Sequence, residues 1–88
     1  MNFEPVRTVA DLETLDHDEI LAGYMEWRAG DPEPGLNRGR SYWHGWRNAA
    51  IDHRAIEKDD AAAQLAHEVI ATGYLERSIA EHRKRLGI

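Results

Sequence analysis

Apolar residues first settle into a helical rhythm at Ile20, Leu21, Tyr24 and Trp27, spaced i, i+1, i+4 and i+7 on one face. Asp16 stands where an N-cap belongs, with Glu19 three residues on as in a capping box, and the acids of this turn favour the positive end of a helix. Gly30 is placed as the residue just past the helix, and Pro32 prevents continuation. Upstream, residues 1–10 have no period and read as a loose arm docked through Phe3 or Val6, with a short helical turn around Asp11–Leu15. Downstream, DPEPGLNRG holds two prolines and two glycines in nine residues, which predicts a stiff bend.

Ser41 is the expected N-cap of a second helix running to about Lys58. Trp43, Trp46 and Ala50 share one of its faces, with Tyr42, Gly45 and Ala49 beside them. A glycine inside a helix costs about 1 kcal/mol relative to alanine. Close approach by the first helix would compensate at Gly45, with Tyr24 or Trp27 packed over the missing side chain. Asp59 or Asp60 caps a third helix, in which Leu65, Ala66, Val69 and Ile70 make one face and Leu75, Ile79 and Leu86 another. The two registers disagree at Thr72-Gly73, where a kink or break is expected. His82-Arg83-Lys84-Arg85 suits the negative end of a helix. The expected fold is all-α, two short helices joined by a Pro/Gly bend plus a longer C-terminal helix. It divides into an acidic arm (1–15), a helical module (16–58) and a C-terminal helix (59–88).

With 88 residues the chain can bury roughly 60–65% of its unfolded surface, so a few large side chains must make the core. Trp27, Trp43 and Trp46 are the natural anchors. The absence of cysteine excludes disulfides and thiolate metal sites. The N-terminus shows no basic region followed by an apolar run, and no stretch approaches ~18 apolar residues, so a cytoplasmic protein without a membrane span is expected.

Charge is distributed unevenly. Residues 1–19 carry Glu4, Asp11, Glu13, Asp16, Asp18 and Glu19 against Arg7 alone, which accounts for the whole net charge of −5. Residues 37–58 are locally basic, with Arg38, Arg40, Arg47, Arg54 and Lys58 against Asp52 and Glu57. A positive patch attracts phosphate, and an acidic arm competes for it.

Enzymatic chemistry has little to stand on. Ser41 lacks a nucleophile elbow, and His44 and Asp52 lie eight residues apart, about two helical turns. The histidines at 17, 44, 53, 67 and 82 show no i, i+4 pair, so no metal or cofactor is expected. Gly35 and Gly39 lack the Lys-Ser/Thr of a phosphate loop. Nucleic-acid contact is the stronger candidate. Arg38, Arg40 and Arg47 can pair with phosphates, and Tyr42 or Trp43 can stack on an unpaired base. The alternatives are that the tryptophans are core anchors and that the arginines are spent on Asp31, Glu33 or the acidic arm.

The segment AGYMEWRAGDPEPGLNRGRSYWHGWRNAAID, residues 22–52, resembles the ribosome modulation factor family, which includes short versions carried by bacteria and phages. The matching elements are Gly23-Tyr24, Gly30, Pro32 and Pro34, Arg40-Ser41-x-Trp43, Gly45-Trp46-Arg47 and Asp52. The resemblance implies a small helical protein that binds the small ribosomal subunit, blocks translation and promotes hibernating ribosome dimers. It implies Arg38, Arg40 and Arg47, with Tyr24 and Tyr42, as the rRNA-facing set. The expected partner is then the 30S subunit or its rRNA. The alternative is a small inhibitor whose acidic arm and C-terminal helix bind a basic host protein. Self-association through Leu75, Ile79 and Leu86 is a third expectation.

Overall fold

A computed structural model describes residues 3–87, and among them there are helices and turns but no strand. The chain is all-α, as its periodicity predicts. The arm contains a single helical turn, α1 (Val9–Leu12), capped by Thr8, whose hydroxyl accepts from the Asp11 N–H at 3.1 Å. Helix α2 (His17–Glu26) starts as expected at Asp16, whose carboxylate accepts from the N–H groups of Asp18 and Glu19 at 2.9 and 3.2 Å.

Helix α2 ends earlier than its glycine signal suggests. Trp27 already has extended ψ, and the Arg28 guanidinium donates to the carbonyls of Met25 and Trp27 at 3.0 and 2.8 Å. A side chain therefore satisfies end carbonyls that a glycine cap would have served. Gly30 instead supplies the left-handed φ of 88° in a turn closed by Asp31 N–H on the Arg28 carbonyl.

After a 3-10 turn at Leu36–Arg38, helix α3 (Arg40–Asp52) begins behind Gly39. Ser41 lies inside it rather than capping it, and its Oγ accepts from the Asp16 N–H at 2.8 Å, tying the starts of α2 and α3 together. Helix α3 stops at Asp52, short of Lys58, because Arg54 turns into the left-handed region (φ 59°) and the Ala55 N–H folds back to the Ala50 carbonyl.

The hairpin of α2 and α3 is the centre of the fold, and its closeness is set by two glycines. A Cβ on Gly23 would lie 2.9 Å from the Tyr42 carbonyl carbon, and one on Gly45 would lie 2.7 Å from that of Ile20. The close approach expected at Gly45 is therefore present, but backbone fills the space rather than Tyr24 or Trp27. Helix α4 (Asp60–Thr72) is capped by Asp59, which accepts from the Ala62 N–H at 2.9 Å. Gly73 (φ 67°) ends it and opens α5 (Tyr74–Leu86), so the long C-terminal helix is two helices of 13 residues each.

Val6, Val9, Tyr42, Trp43, Trp46, Ala49, Ala50, Ala61 and Leu65 form the core. It draws from the arm, α3 and α4, so the arm is docked, and through the Phe3 and Val6 that its sequence offers. Phe3 tilts against Trp43 with ring centres 5.7 Å apart, and the Val9 N–H donates to the Glu68 carboxylate of α4 at 2.8 Å. Trp27 corrects the expectation of three core tryptophans. Because α2 has ended before it, Trp27 is only half-buried and lies flat on His53, centroids 4.7 Å apart and planes 8° apart.

Candidate nucleic-acid interface

Arg40 and Arg47 lie seven residues apart on α3, two turns along one face, with Trp43 between them. Arg38 precedes the helix on the last residue of the 3-10 turn. The sequence thus brings its candidate arginines to one helix and its entry. What the structure adds is that each is already engaged by a carboxylate.

Arg40 makes a two-pronged pair with Asp11, Nη1 to Oδ1 at 2.8 Å and Nη2 to Oδ2 at 2.6 Å, while its Nε donates to the Glu4 carbonyl at 2.9 Å. This fork geometry is the one guanidinium uses toward carboxylate and phosphate alike. The hydrogen bonds from Arg40 hold the Asp11 carboxyl below its ordinary pKa and raise that of Arg40 in turn. Arg47 donates to Asp59 at 2.5 Å and lies 5.1 Å from the centre of the Trp43 ring. The Asp59 carboxyl is also held low, first by the Ala62 N–H it caps and then by Arg47. Arg38 is the loosest of the three. Its guanidinium lies 3.8 Å over the Tyr42 ring, and its Nη2 is 3.8 Å from Glu26.

The aromatic members of the expected site sit differently. Tyr42 is buried, and its hydroxyl donates to Glu26 at 3.0 Å; burial and that carboxylate together raise its pKa. Trp43 is buried too, with Nε1–H donating to Glu33 at 2.6 Å. Neither offers a free face to a base, which corrects the assignment of Tyr42 to the contact surface. The cause is the hairpin crossing, which turns this side of α3 inward. Tyr24 is more exposed, and its hydroxyl donates to Asp52 at 2.7 Å, raising its own pKa. That bond spans α2 and α3 and steadies their relative position.

His44 is buried on α3, and burial, reinforced by Arg40 and Arg47, lowers its pKa to about 4. Its ring is therefore neutral near pH 7. The Asn48 side-chain amide lies 3.2 Å from its Nε2, one helical turn along. His44 and Asp52 do not meet, since each has its own partner. Among the described residues no group of three or more His, Asp or Glu side chains gathers as metal ligands. No helix of the described residues is long and apolar enough to cross a membrane.

The acidic arm was an expected partner of the arginines, and Asp11 is the acid of it that meets Arg40; the partners sequence reasoning missed are Asp59 and Glu26. Asp59 reads in sequence only as a helix cap, and Asp11 only as one of three acids in the arm. Glu33, a candidate arginine partner, holds the Trp43 indole instead. Asp11 and Asp59 both lie outside the 22–52 segment, one in each flanking extension. Compared with known protein families, curated proteins and solved structures, the chain matches none.

Proposed function

We propose that this protein is a ribosome-associated translation regulator of the hibernation type, whose α2–α3 hairpin meets small-subunit rRNA along the arginine edge of α3. The supporting observation is the oxyanion grip of Arg40 and Arg47. Arg40 holds its carboxylate in a two-pronged fork and Arg47 holds its own through a single bond, and phosphate oxygens fit both arrangements. The motif residues of the 22–52 segment have a matching division of labour. Gly23, Gly45, Trp43 and Trp46 build the hairpin, and Tyr24 and Asp52 lock it, so the arginines are what the scaffold presents.

In this reading the two extensions act as internal competitors. Asp11 and Asp59 stand where phosphates would bind, which reconciles an acidic chain with an anion-binding edge. Contact with rRNA exchanges two partly exposed carboxylate pairs for phosphate pairs, so the net gain per arginine is small and salt-sensitive. Co-sedimentation of the protein with 30S subunits across a salt series tests this. Binding that falls steeply with salt and is lost in an Arg38→Glu/Arg40→Glu variant is expected. Absence of binding at low salt would sink the proposal.

One observation favours a second reading, a small protein-binding inhibitor. The three candidate arginines are the ones with acidic partners among the described residues, which leaves the molecule's outer surface dominated by the remaining acids. A basic protein would then be bound through the arm and α5, and truncation after Lys58 would abolish activity that the arginine reversals leave intact.

A further inference from the structure

Helix α5 is the least supported element of the fold. Its residues pack mainly on the end of α4, and Leu75, Ile79 and Leu86 are 56%, 47% and 59% exposed. These three lie at i, i+4 and i+11, one stripe along a helix about 20 Å long. The stripe runs into an open cleft of about 630 Å³ between the hairpin and α4, whose mouth carries the exposed Leu21 and Ile70. An apolar stripe continuous with an apolar cleft is a contact surface without a contact.

Charge indicates what covers it. The last turn of α5 carries Arg83, Lys84 and Arg85, none in an ion pair among the described residues. The start of α5 sits beside the start of α2, where the Tyr74 hydroxyl is 3.5 Å from His17 Nε2. The first turn of α5 carries the acid Glu76 while its last turn is basic, and the length of the helix keeps the two apart.

We infer that α5 pairs antiparallel with α5 of a second copy of this chain, forming a twofold dimer. Centring the axis between Ala80 and Glu81 sets Leu75 against Leu86 of the second copy, with the two Ile79 side chains flanking the axis. The same register sets Glu76 beside Arg83 of the second copy, on one flank of the seam. A parallel pair would instead place the two basic turns together. Antiparallel pairing satisfies the apolar stripe and both charged ends with one operation, as a self-complementary interface requires.

Sedimentation equilibrium of the full chain over a range of concentration and salt tests the inference. Dimers that weaken as salt rises are expected, and Ile79→Asp should weaken them by at least about tenfold. Glu76→Arg and Arg83→Glu should each weaken the dimer, while the double exchange restores it. That rescue separates a lost contact from a damaged fold, and near-ultraviolet circular dichroism of the tryptophans reports the hairpin independently. A monomer at all concentrations would overturn the inference, as would a dimer indifferent to Ile79→Asp or a charge exchange without rescue. A monomer that binds anionic vesicles through α5 would overturn it as well. None of these outcomes bears on whether 30S subunits are bound, so the two proposals fail separately.

Discussion

Gly45→Ala sets helix propensity against packing and has a definite sign. By propensity alone the change should stabilise α3 by about 1 kcal/mol. The structure reverses that expectation, because the added methyl would stand 2.7 Å from the carbonyl carbon of Ile20 and 3.0 Å from its Cα. Both are backbone atoms, so no side-chain rotation relieves the clash and α2 must move away. Overpacking of this kind costs about 1–3 kcal/mol, and the upper end applies where the obstacle is main chain. The net loss is then about 2 kcal/mol. For a domain of this size, each kcal/mol is worth about 4–8 °C, so thermal unfolding followed by circular dichroism should show Tm lower by about 8–16 °C. Gly23→Ala, which meets the Tyr42 and Trp46 backbone, should give a loss of similar size. The two changes act on one crossing, so their sum should not be additive. An unchanged or raised Tm in Gly45→Ala would refute the backbone-contact account of the hairpin.

Stability should also depend on pH through His44. Its folded pKa of about 4 lies below its ordinary 6.5, so the unfolded chain takes up the proton first as pH falls. The stabilisation is complete above about pH 6.5 and is lost progressively down to about pH 4, a total of about 3 kcal/mol; a flat Tm profile over that range would contradict it, and His44→Gln should flatten the slope. Asp11 and Asp59 add a further loss at lower pH, since their lowered pKa values withhold protonation until below the usual carboxylate range. Trp43→Ala should cost about 3–5 kcal/mol in denaturant unfolding, and Trp27→Ala clearly less, because Trp27 is half-exposed and stacks only on His53. Amide hydrogen exchange in the monomer should be fastest in α5, whose described side chains are half-buried at most, and slowest in the middle of α3.

The parts of the fold legible in sequence are those governed by local rules. Asp16 and Asp59 cap where their side chains reach the next turn, and Gly73 breaks the chain where the apolar registers part. The parts that were not legible depend on residues distant in the chain. Ser41 has the chemistry of a cap, yet its hydroxyl serves Asp16, 25 residues away. Gly30 has the chemistry of a helix stop, yet Arg28 closes α2 first. At the candidate site, the arginines could be named from local basicity and from the family resemblance. The acidic arm could be named as a partner too, but not which of its acids, because Glu4, Asp11 and Glu13 look alike until the fold places Asp11 opposite Arg40. Tyr42 was misplaced for a related reason. Its burial follows from which side of α3 the Gly23–Gly45 crossing turns inward, and helical periodicity alone does not fix that side.

The central claim is that Asp11 occupies an oxyanion position on Arg40 that rRNA phosphate takes over. The most direct measurement is the 30S affinity of Asp11→Asn beside the unmodified protein at the same moderate salt. Freeing Arg40 from a partly exposed pair worth about 0.5–1 kcal/mol should tighten binding about two- to fivefold. Equal or weaker binding by Asp11→Asn, in a variant whose hairpin remains folded, would contradict the claim.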